Sequence, residues 1–399
     1  MFQVPEHIRP IRDKVRKFVD EEVIPHEAEL DNGEPGIRPI VAELMAKAKA
    51  EGLWALGHPK EFGGGGLPFL DYAYVNEVIG RTHAAQLILG TESLQTAVML
   101  NQHASPEWKA KVLQPLVHGD FSVSFAATEP EVAGSDPTQM KTTARLEGDE
   151  WVISGRKWFI SLLAYAEYIV VWCRTEGDEV PLHMRFSQII VPKDAPGLKI
   201  LRDMDILGLG GVLSGHYDIV FDNVRVPANN IIGQRGQGFT MAQNRLGPGR
   251  IYHCMRWLGM AQRAFDLMVN RVNSRTLHGK PLAAKGMVQK QIFDSYAEIQ
   301  QARLMVLDAA AKIDAGSQAR VEISAIKVIC PNMAHAVVDR AIQVHGAMGL
   351  SQDTPLQRMY RGIRVGRFVD GPDEVHIERT ARRLADLYAK GETWDFGTR

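Results

Sequence analysis

An α+β chain in three parts follows from three features of the sequence. Apolar residues recur at helical spacing up to residue 120, alternate at strand spacing between 121 and 235, and return to helical spacing from 236 to 399. The expectation is an N-terminal α-helical domain (1–120), a middle antiparallel β sandwich or barrel (121–235) and a C-terminal four-helix bundle (236–399). At 399 residues the chain exceeds one ordinary core, and about 150 residues per domain suggests two or three.

The elements are justified in order. Ile8, Ile11, Val15, Phe18, Val19 and Val23 share one helical face. "IVAELMAKAKAEG" (40–52) predicts a second helix, closed by Gly52. The four glycines of "FGGGGLP" (62–68) invite a phosphate-loop reading, but no GK[ST] follows, so a flexible connector is expected. "DYAYVNEVIGR" (71–81) and the stretch 91–116 continue the helical pattern. "FSVSFA" (121–126) then alternates, and "TTARLEGDEWVIS" (142–154) predicts a hairpin turning at Gly148-Asp149. "YIVVWCR" (168–174), "FSQIIVP" (186–192) and "YDIVFDNVRVP" (217–227) predict further strands. Ile251, Met255, Leu258, Ala261, Phe265, Met268 and Val272 form one long helical stripe, and 287–314, 319–345 and 373–390 supply three more helices. Pro248 and Pro331 predict kinks or starts rather than helix interiors.

Composition excludes several classes. Hydrophobic residues at 45% and charged residues at 23% are ordinary for a globular chain. A net charge of -1 argues against a polyanion as main partner, so no nucleic acid is expected. Cys173, Cys254 and Cys330 are far apart and form no CxxC, which predicts buried thiols in a reducing compartment. The opening "MFQVPEHIRPIRDKVRKFVD" has no apolar signal core, no apolar run approaches the roughly 20 residues of a membrane span, and "DFGTR" is no peroxisomal signal. A cytoplasmic, bacterial chain, or a mature chain whose presequence has been removed, is the expectation, with no membrane partner.

The chemistry is narrowed by elimination. The 13 histidines form no HExxH and no Cys/His cluster, so no metal is expected, and His345 and His376 read as hydrogen-bonded structural residues. "GLGGVLSG" (208–215) and "GQRGQG" (233–238) both miss the GxGxxG spacing of a classical dinucleotide site. "SFAATEPEVAGSD" (124–136) could be a strand-ending turn, or a loop whose free N–H groups hold a heterocycle edge and a phosphate. "FVDGPDEVHIERT" (368–380) sets four acids around a Gly-Pro turn, and Asp370 there reads either as a helix cap or as a base.

Taken together, these stretches resemble the acyl-CoA dehydrogenase family. "TEPEVAGSD" is similar to its TEPxAGSD signature, and "SGRKWFIS" (154–161) to its NGxKxWIT/S strand. "SRTLHGKP" (274–281) is similar to its RxxFGK turn, and "QVHGAMG" (343–349) to its QxxGxxG turn. "VDGPDEVH" (369–376) sits where the family carries its base loop, and "PKEFGGGGLPFLDYAYVNEVIGR" resembles its N-terminal helix pair. The matches are collinear over nearly the whole chain. "LGPGRIYHCMR" and "DGPDEVH" are similar to an Asp-base branch that includes family members 10 and 11.

The resemblance implies a three-domain fold, FAD as cofactor, and α,β-dehydrogenation of an acyl-CoA thioester in fatty acid metabolism. Asp370 would abstract the α-proton while the β-hydride goes to flavin N5. By motif position, Phe125, Ala127 and Thr128 would line the isoalloxazine, and Gly134 and Ser135 would contact the pyrophosphate. Phe159 would stack near the flavin, where the family usually has Trp, and Ser161 would bond its N5/O4 edge. Arg275, Gln343 and Gly346 would hold the FAD of a neighbouring subunit, and Pro372 and Glu374 would close over the cofactor. Arg250 matches a family arginine near the active site. Most relatives carry Glu at the base position; a minority carry the base at a site that aligns with Gly249, which cannot act. Asp is shorter by one methylene, so substrate or backbone would sit about 1 to 1.5 Å differently, suggesting a branched or substituted acyl chain. His278 replaces the Phe of the FGK turn, and Gly286 replaces a Gln that Gln289 could supply. The resemblance also implies a homotetramer, a dimer of dimers, with electron-transfer flavoprotein as acceptor. Two alternatives remain: a nitroalkane-type flavin oxidase of the same fold, and a DNA-associated alkylation-response flavoprotein, for which "RTARR" (379–383) is the one basic candidate.

Overall fold

A computed structural model describes residues 3–32, 37–209 and 215–394. Most of "GLGGVLSG" and all of "DFGTR" lie outside the described residues. The helices used below are α1 (Arg9–Phe18), α2 (Ile37–Ala50), α3 (Phe69–Ile79), α4 (Leu94–His103), α5 (Gly238–Ser274), α6 (Gly286–Asp314), α7 (Arg320–His345), α8 (Leu356–Arg364) and α9 (Asp373–Ala389). The strands are β1 (Ser122–Ala126), β2 (Thr143–Glu147), β3 (Glu150–Ser161), β4 (Ala166–Arg174), β5 (Phe186–Pro192), β6 (Leu198–Asp203), β7 (His216–Pro227) and β8 (Ile231–Ile232). The order helical, β, helical is the predicted one. The chain divides into two compact units: residues 1–20, 68–85 and 249–399 form one, and 21–67 with 86–248 form the other.

In the first unit, α3 and α5 cross at two glycines. A Cβ on Gly80 would lie 2.3 Å from the Cα of Arg256, and one on Gly259 would lie 1.8 Å from the carbonyl oxygen of Glu77. No side chain fits at either place, so the two backbones touch. Asn76 Nδ2 donates to the Tyr252 carbonyl at 3.2 Å, and Arg303 grips the Glu77 carboxylate with Nε and Nη2 at 2.9 and 2.8 Å. Pro331 lies inside α7, and Pro248 inside α5, so neither starts its helix. A missing N–H in a helix this long removes one bond from a ladder that packing already holds. Helix α7 has a window apolar enough for a membrane span by length and composition, but 56% of it is buried inside the protein, which marks a core helix.

In the second unit, the sheet order is β6-β7-β3-β2-β4-β5-β8, with β1 paired to β4. Pairing is mostly antiparallel, but β1 runs parallel to β4, and β2 meets β4 in one parallel pair, Thr143↔Arg174. The predicted hairpin turns at Gly148, in the left-handed region. Both faces of β4 and β5 are covered: Ile169, Val171, Ile189 and Val191 enter one cluster, while Val170 and Ile190 enter another with Leu100, Trp108 and Leu113. That explains the unbroken apolar runs "YIVVWC" and "IIV". Strand β6 was not predicted; it is almost wholly exposed and so lacks a clear alternation.

The "FGGGGLP" segment is a packed turn rather than a flexible connector. The N–H groups of Gly64, Gly65, Gly66 and Leu67 donate to the carbonyls of Pro59, Ala55, His58 and Leu56. A Cβ on Gly64 would meet the His58 carbonyl oxygen at 2.3 Å. Glycine is needed there for close approach, not for mobility. Cys173, Cys254 and Cys330 are free and buried, as expected.

A buried ion pair braces β3. Lys157 Nζ sits 2.9 Å from Glu129 Oε1 and donates to the Ala127 carbonyl at 2.7 Å. Burial alone would raise the Glu129 carboxyl; the Lys157 ammonium and the backbone N–H groups of Lys141 and Thr142 outweigh it and hold the carboxyl below its ordinary range. Lys157→Met would leave that carboxylate buried without its counter-charge. Guanidinium unfolding followed by circular dichroism is expected to show a loss of about 3–5 kcal/mol. A loss below about 1 kcal/mol would mean that Glu129 finds a proton or water at little cost.

Candidate active site

In the first unit, Asp370 lies in the middle of a tight loop between the short 3-10 turn Val365–Arg367 and α9. Its φ of 56° is left-handed, as is the 107° of Gly371. Such a conformation costs a non-glycine residue about 1 kcal/mol or more and persists only where neighbours hold it. The cap reading of Asp370 is not borne out: the N-cap of α9 is Pro372, with no side-chain cap. The buried first-turn acid is Asp373, whose Oδ2 accepts from Arg367 Nε at 2.6 Å and Asn332 Nδ2 at 3.1 Å.

Three basic side chains grip the loop backbone. Arg250 Nε and His376 Nε2 donate to the Asp370 carbonyl at 2.9 and 3.1 Å. Lys327 Nζ donates to the carbonyls of Gly366 and Gly371 at 2.7 and 3.2 Å. Burial, then the Arg250 charge, pushes His376 down to about 4, so it is neutral and its Nε2 carries the donated proton. His345 bonds the Ala341 carbonyl through Nδ1, so both histidines are structural, as read from the sequence. The Asp370 side chain is only 11% exposed, with Oδ2 buried and His253 Nε2 3.4 Å away. His253, Arg256 and Lys327 were missed in the sequence. The spacing of Arg250, His253 and Trp257, three then four residues apart, was the available signal.

In the second unit, five of the predicted residues come together. Trp158 N–H donates to the Thr128 carbonyl at 3.1 Å, and Thr128 Oγ1 donates back to the Trp158 carbonyl at 2.7 Å. Ser124 Oγ donates to the Ser161 carbonyl at 2.8 Å. These bonds lay Phe125, Ala127 and Thr128 beside Phe159 and Ser161. Phe159 has a φ of 55° at a register shift in the β3–β7 ladder, and its ring is 42% exposed. Arg245 lies 4.5 Å from the Phe125 ring centroid. Gly134 and Ser135 lie exposed in the following loop, and a Cβ on Gly134 would press on Thr128 Cγ2 at 3.2 Å.

The remaining predicted residues line exposed surface of the first unit. Arg275 precedes a two-stranded turn (Thr276–Leu277 with Lys280–Pro281) in which His278 and Gly279 are left-handed. Gln289 Nε2 donates to the Ala283 carbonyl. Gln343 lies in the last turn of α7, and Gly346, with φ 66° and ψ -144°, follows the helix in a conformation open only to glycine. Glu374 lies exposed in the first turn of α9.

Three sequence profiles of one family cover this chain: the acyl-CoA dehydrogenase N-terminal domain over residues 5–120, the middle domain over 124–224 and the C-terminal domain over 236–385. The chain belongs to the acyl-CoA dehydrogenase family. It is 41% identical over 389 residues to FadE2 of Mycobacterium tuberculosis, named a probable acyl-CoA dehydrogenase, covering 93% of each. It is 40% identical to acyl-CoA dehydrogenase family member 10 of Mus musculus, over 92% of this chain and 36% of that protein. It thus spans about a third of that relative, and 49% of family member 11 of Homo sapiens. A Mycobacterium abscessus structure, itself identified only provisionally as an acyl-CoA dehydrogenase, superposes with a TM-score of 0.91 at 38% identity, covering 97% of this chain and all of the other.

FAD is the cofactor of acyl-CoA dehydrogenases, and the second unit fits it. The Phe159 ring offers an apolar face, and the Ser161 hydroxyl is exposed beside it. The Trp172 indole N–H is buried with no hydrogen-bond partner among the described residues, in the cluster that includes Phe125 and Ala127. Gly134 and Ser135, exposed in the loop after Thr128, would be the residues to meet a pyrophosphate.

The neutral His376 sets a pH dependence. Below its ordinary value of 6.5 the unfolded residue binds a proton that the folded one refuses until about 4. The unfolded state therefore binds more protons in that window, and stability falls as pH drops through it. His376→Gln keeps a donor for the Asp370 carbonyl and removes the titration. Guanidinium melts at intervals between pH 6.5 and 4 should fall less steeply for the variant than for the wild type; parallel declines would count against a neutral His376.

Proposed function

We propose that this chain dehydrogenates an acyl-CoA thioester between Cα and Cβ, with Asp370 as the base that takes the α-proton. The family and the fold support flavin-dependent dehydrogenation of acyl-CoA in general. The observation that carries the finer reading is the Asp370 carboxylate itself: mostly buried, on a loop whose carbonyls are held by Arg250, His376 and Lys327. An α C–H beside a thioester is a very weak acid, so its base must be close, aimed and poorly solvated. The pinned backbone supplies the aim, and burial limits the water that would otherwise satisfy the carboxylate. Arg250 donates to the backbone carbonyl, so it acts as a positioning residue for the base. FAD, when bound, accepts the β-hydrogen with its electron pair.

The shorter base fits a substrate that sits closer or is branched or substituted near Cβ. The exposed side chains of Phe293, Tyr296 and Leu304, on one side of α6, fit a face covered by a second copy, which supports the homo-oligomer expected of this family. Electron-transfer flavoprotein as acceptor rests on the family alone.

Asp370→Asn is expected to keep FAD and to lose flavin bleaching by about 10²- to 10⁴-fold. An anaerobic panel of acyl-CoA thioesters, followed by flavin absorbance, measures it. Normal bleaching in the variant would remove Asp370 from the role. Bleaching by nitroalkanes alone would overturn the substrate class.

A further inference from the structure

We infer that His253 is a positioning residue for the base: a neutral imidazole whose Nε2–H holds Asp370 Oδ2 and leaves Oδ1 to face the substrate. This rests on the reading of Asp370 as the base. Arg250, His253 and Trp257 lie on one face of α5, so the residue that holds the loop backbone and the residue that meets its carboxylate share one rigid support. His253 Nε2 lies 3.4 Å from Oδ2, long for a hydrogen bond. Catalytic hydrogen bonds are often long before substrate arrives. Oδ2 is buried, so what exposure the side chain keeps falls on Oδ1 and the carbons.

The proton on His253 is assigned by its other neighbour. Arg256 Nη2 is 2.5 Å from Nδ1. A guanidinium has donors only, so Nδ1 must accept and the ring proton must sit on Nε2, toward Asp370. The ring plane is fixed by stacking on Trp257, with centroids 5.6 Å apart and planes 19° apart. The Arg256 main chain packs so closely on Gly80 that a Cβ there would lie 2.3 Å from the Arg256 Cα, which fixes the backbone from which the guanidinium extends.

Arg256 also opposes a second proton on the ring, since an Nδ1–H would face a guanidinium N–H. Other charged or titratable groups near the pair include Arg250 and His376, both on the Asp370 carbonyl, and Lys327, whose Nζ lies 5.4 Å from the Trp257 ring centroid and whose charge also acts with Asp373 and Cys254. Asp370 is thus met by an uncharged donor. An imidazolium in the same place would hold the carboxylate ionised and weaken it as a base.

The test compares His253→Leu, His253→Gln and Asp370→Asn as FAD-loaded proteins, with 15N-histidine NMR of the wild type and of Arg256→Met. Leu should slow anaerobic flavin reduction by about tenfold or more at saturating acyl-CoA with FAD content unchanged, and Gln, which keeps a donor, should recover most of the rate. NMR should show His253 as the Nε2–H tautomer, titrating only once Arg256 is replaced. If Asp370→Asn is inactive while Leu matches the wild type, the role of His253 is overturned and the base assignment stands. If Asp370→Asn bleaches normally, the base assignment fails and this inference with it. Should Leu fail to fold, the tautomer decides: Nε2–H supports the inference and Nδ1–H overturns it.

Discussion

The structure of the candidate site depends on how the backbone from Gly366 to Gly371 is held. A left-handed aspartate has no intrinsic reason to persist, and carbonyls in a buried loop must find donors. Here the donors are side chains from three different helices: Arg250 on α5, Lys327 on α7 and His376 on α9. Each spends its polar head on a main-chain oxygen. The loop that carries the carboxylate is therefore aimed through its main chain, while the Arg250 and Lys327 charges also reach the carboxylate through space.

The same logic appears in the second unit with one lysine. Lys157 bonds a carboxylate and a backbone carbonyl at once, and Glu129 in turn takes the N–H groups of Lys141 and Thr142. Two stretches distant in sequence, "TEP" and "GRK", are tied through the interior of the sheet. Phe159 and Ser161, which follow "GRK" on the same strand, are exposed while Lys157 is buried. A motif that reads as a list of ligand contacts is thus half scaffold.

Period and turn chemistry made the helices and the central strands legible, because one face or both faces of each are buried. Strand β6 was illegible because an exposed edge imposes no pattern. The glycine run at 63–66 was misread because its constraint is the closeness of His58 and Leu56, which local sequence does not encode. In the site, Asp370 was legible from its Gly-Pro setting and its resemblance to a base loop. His253 and Lys327 were not, since each is an ordinary helical residue until the loop is folded against it. The prolines inside α5 and α7 do not start those helices, because packing overrides a local penalty of one lost bond.

The glycine crossing of α3 and α5 restricts how this active site can change. With Gly80 and Gly259 letting main chain lie on main chain, there is no side-chain layer to absorb a tilt of the helix that bears Arg250, His253 and Arg256. Adaptation to a new acyl group has to come by exchanging individual side chains on a fixed rail, or by reshaping the loop. Residues of α3 at the contact are bound by the same rule.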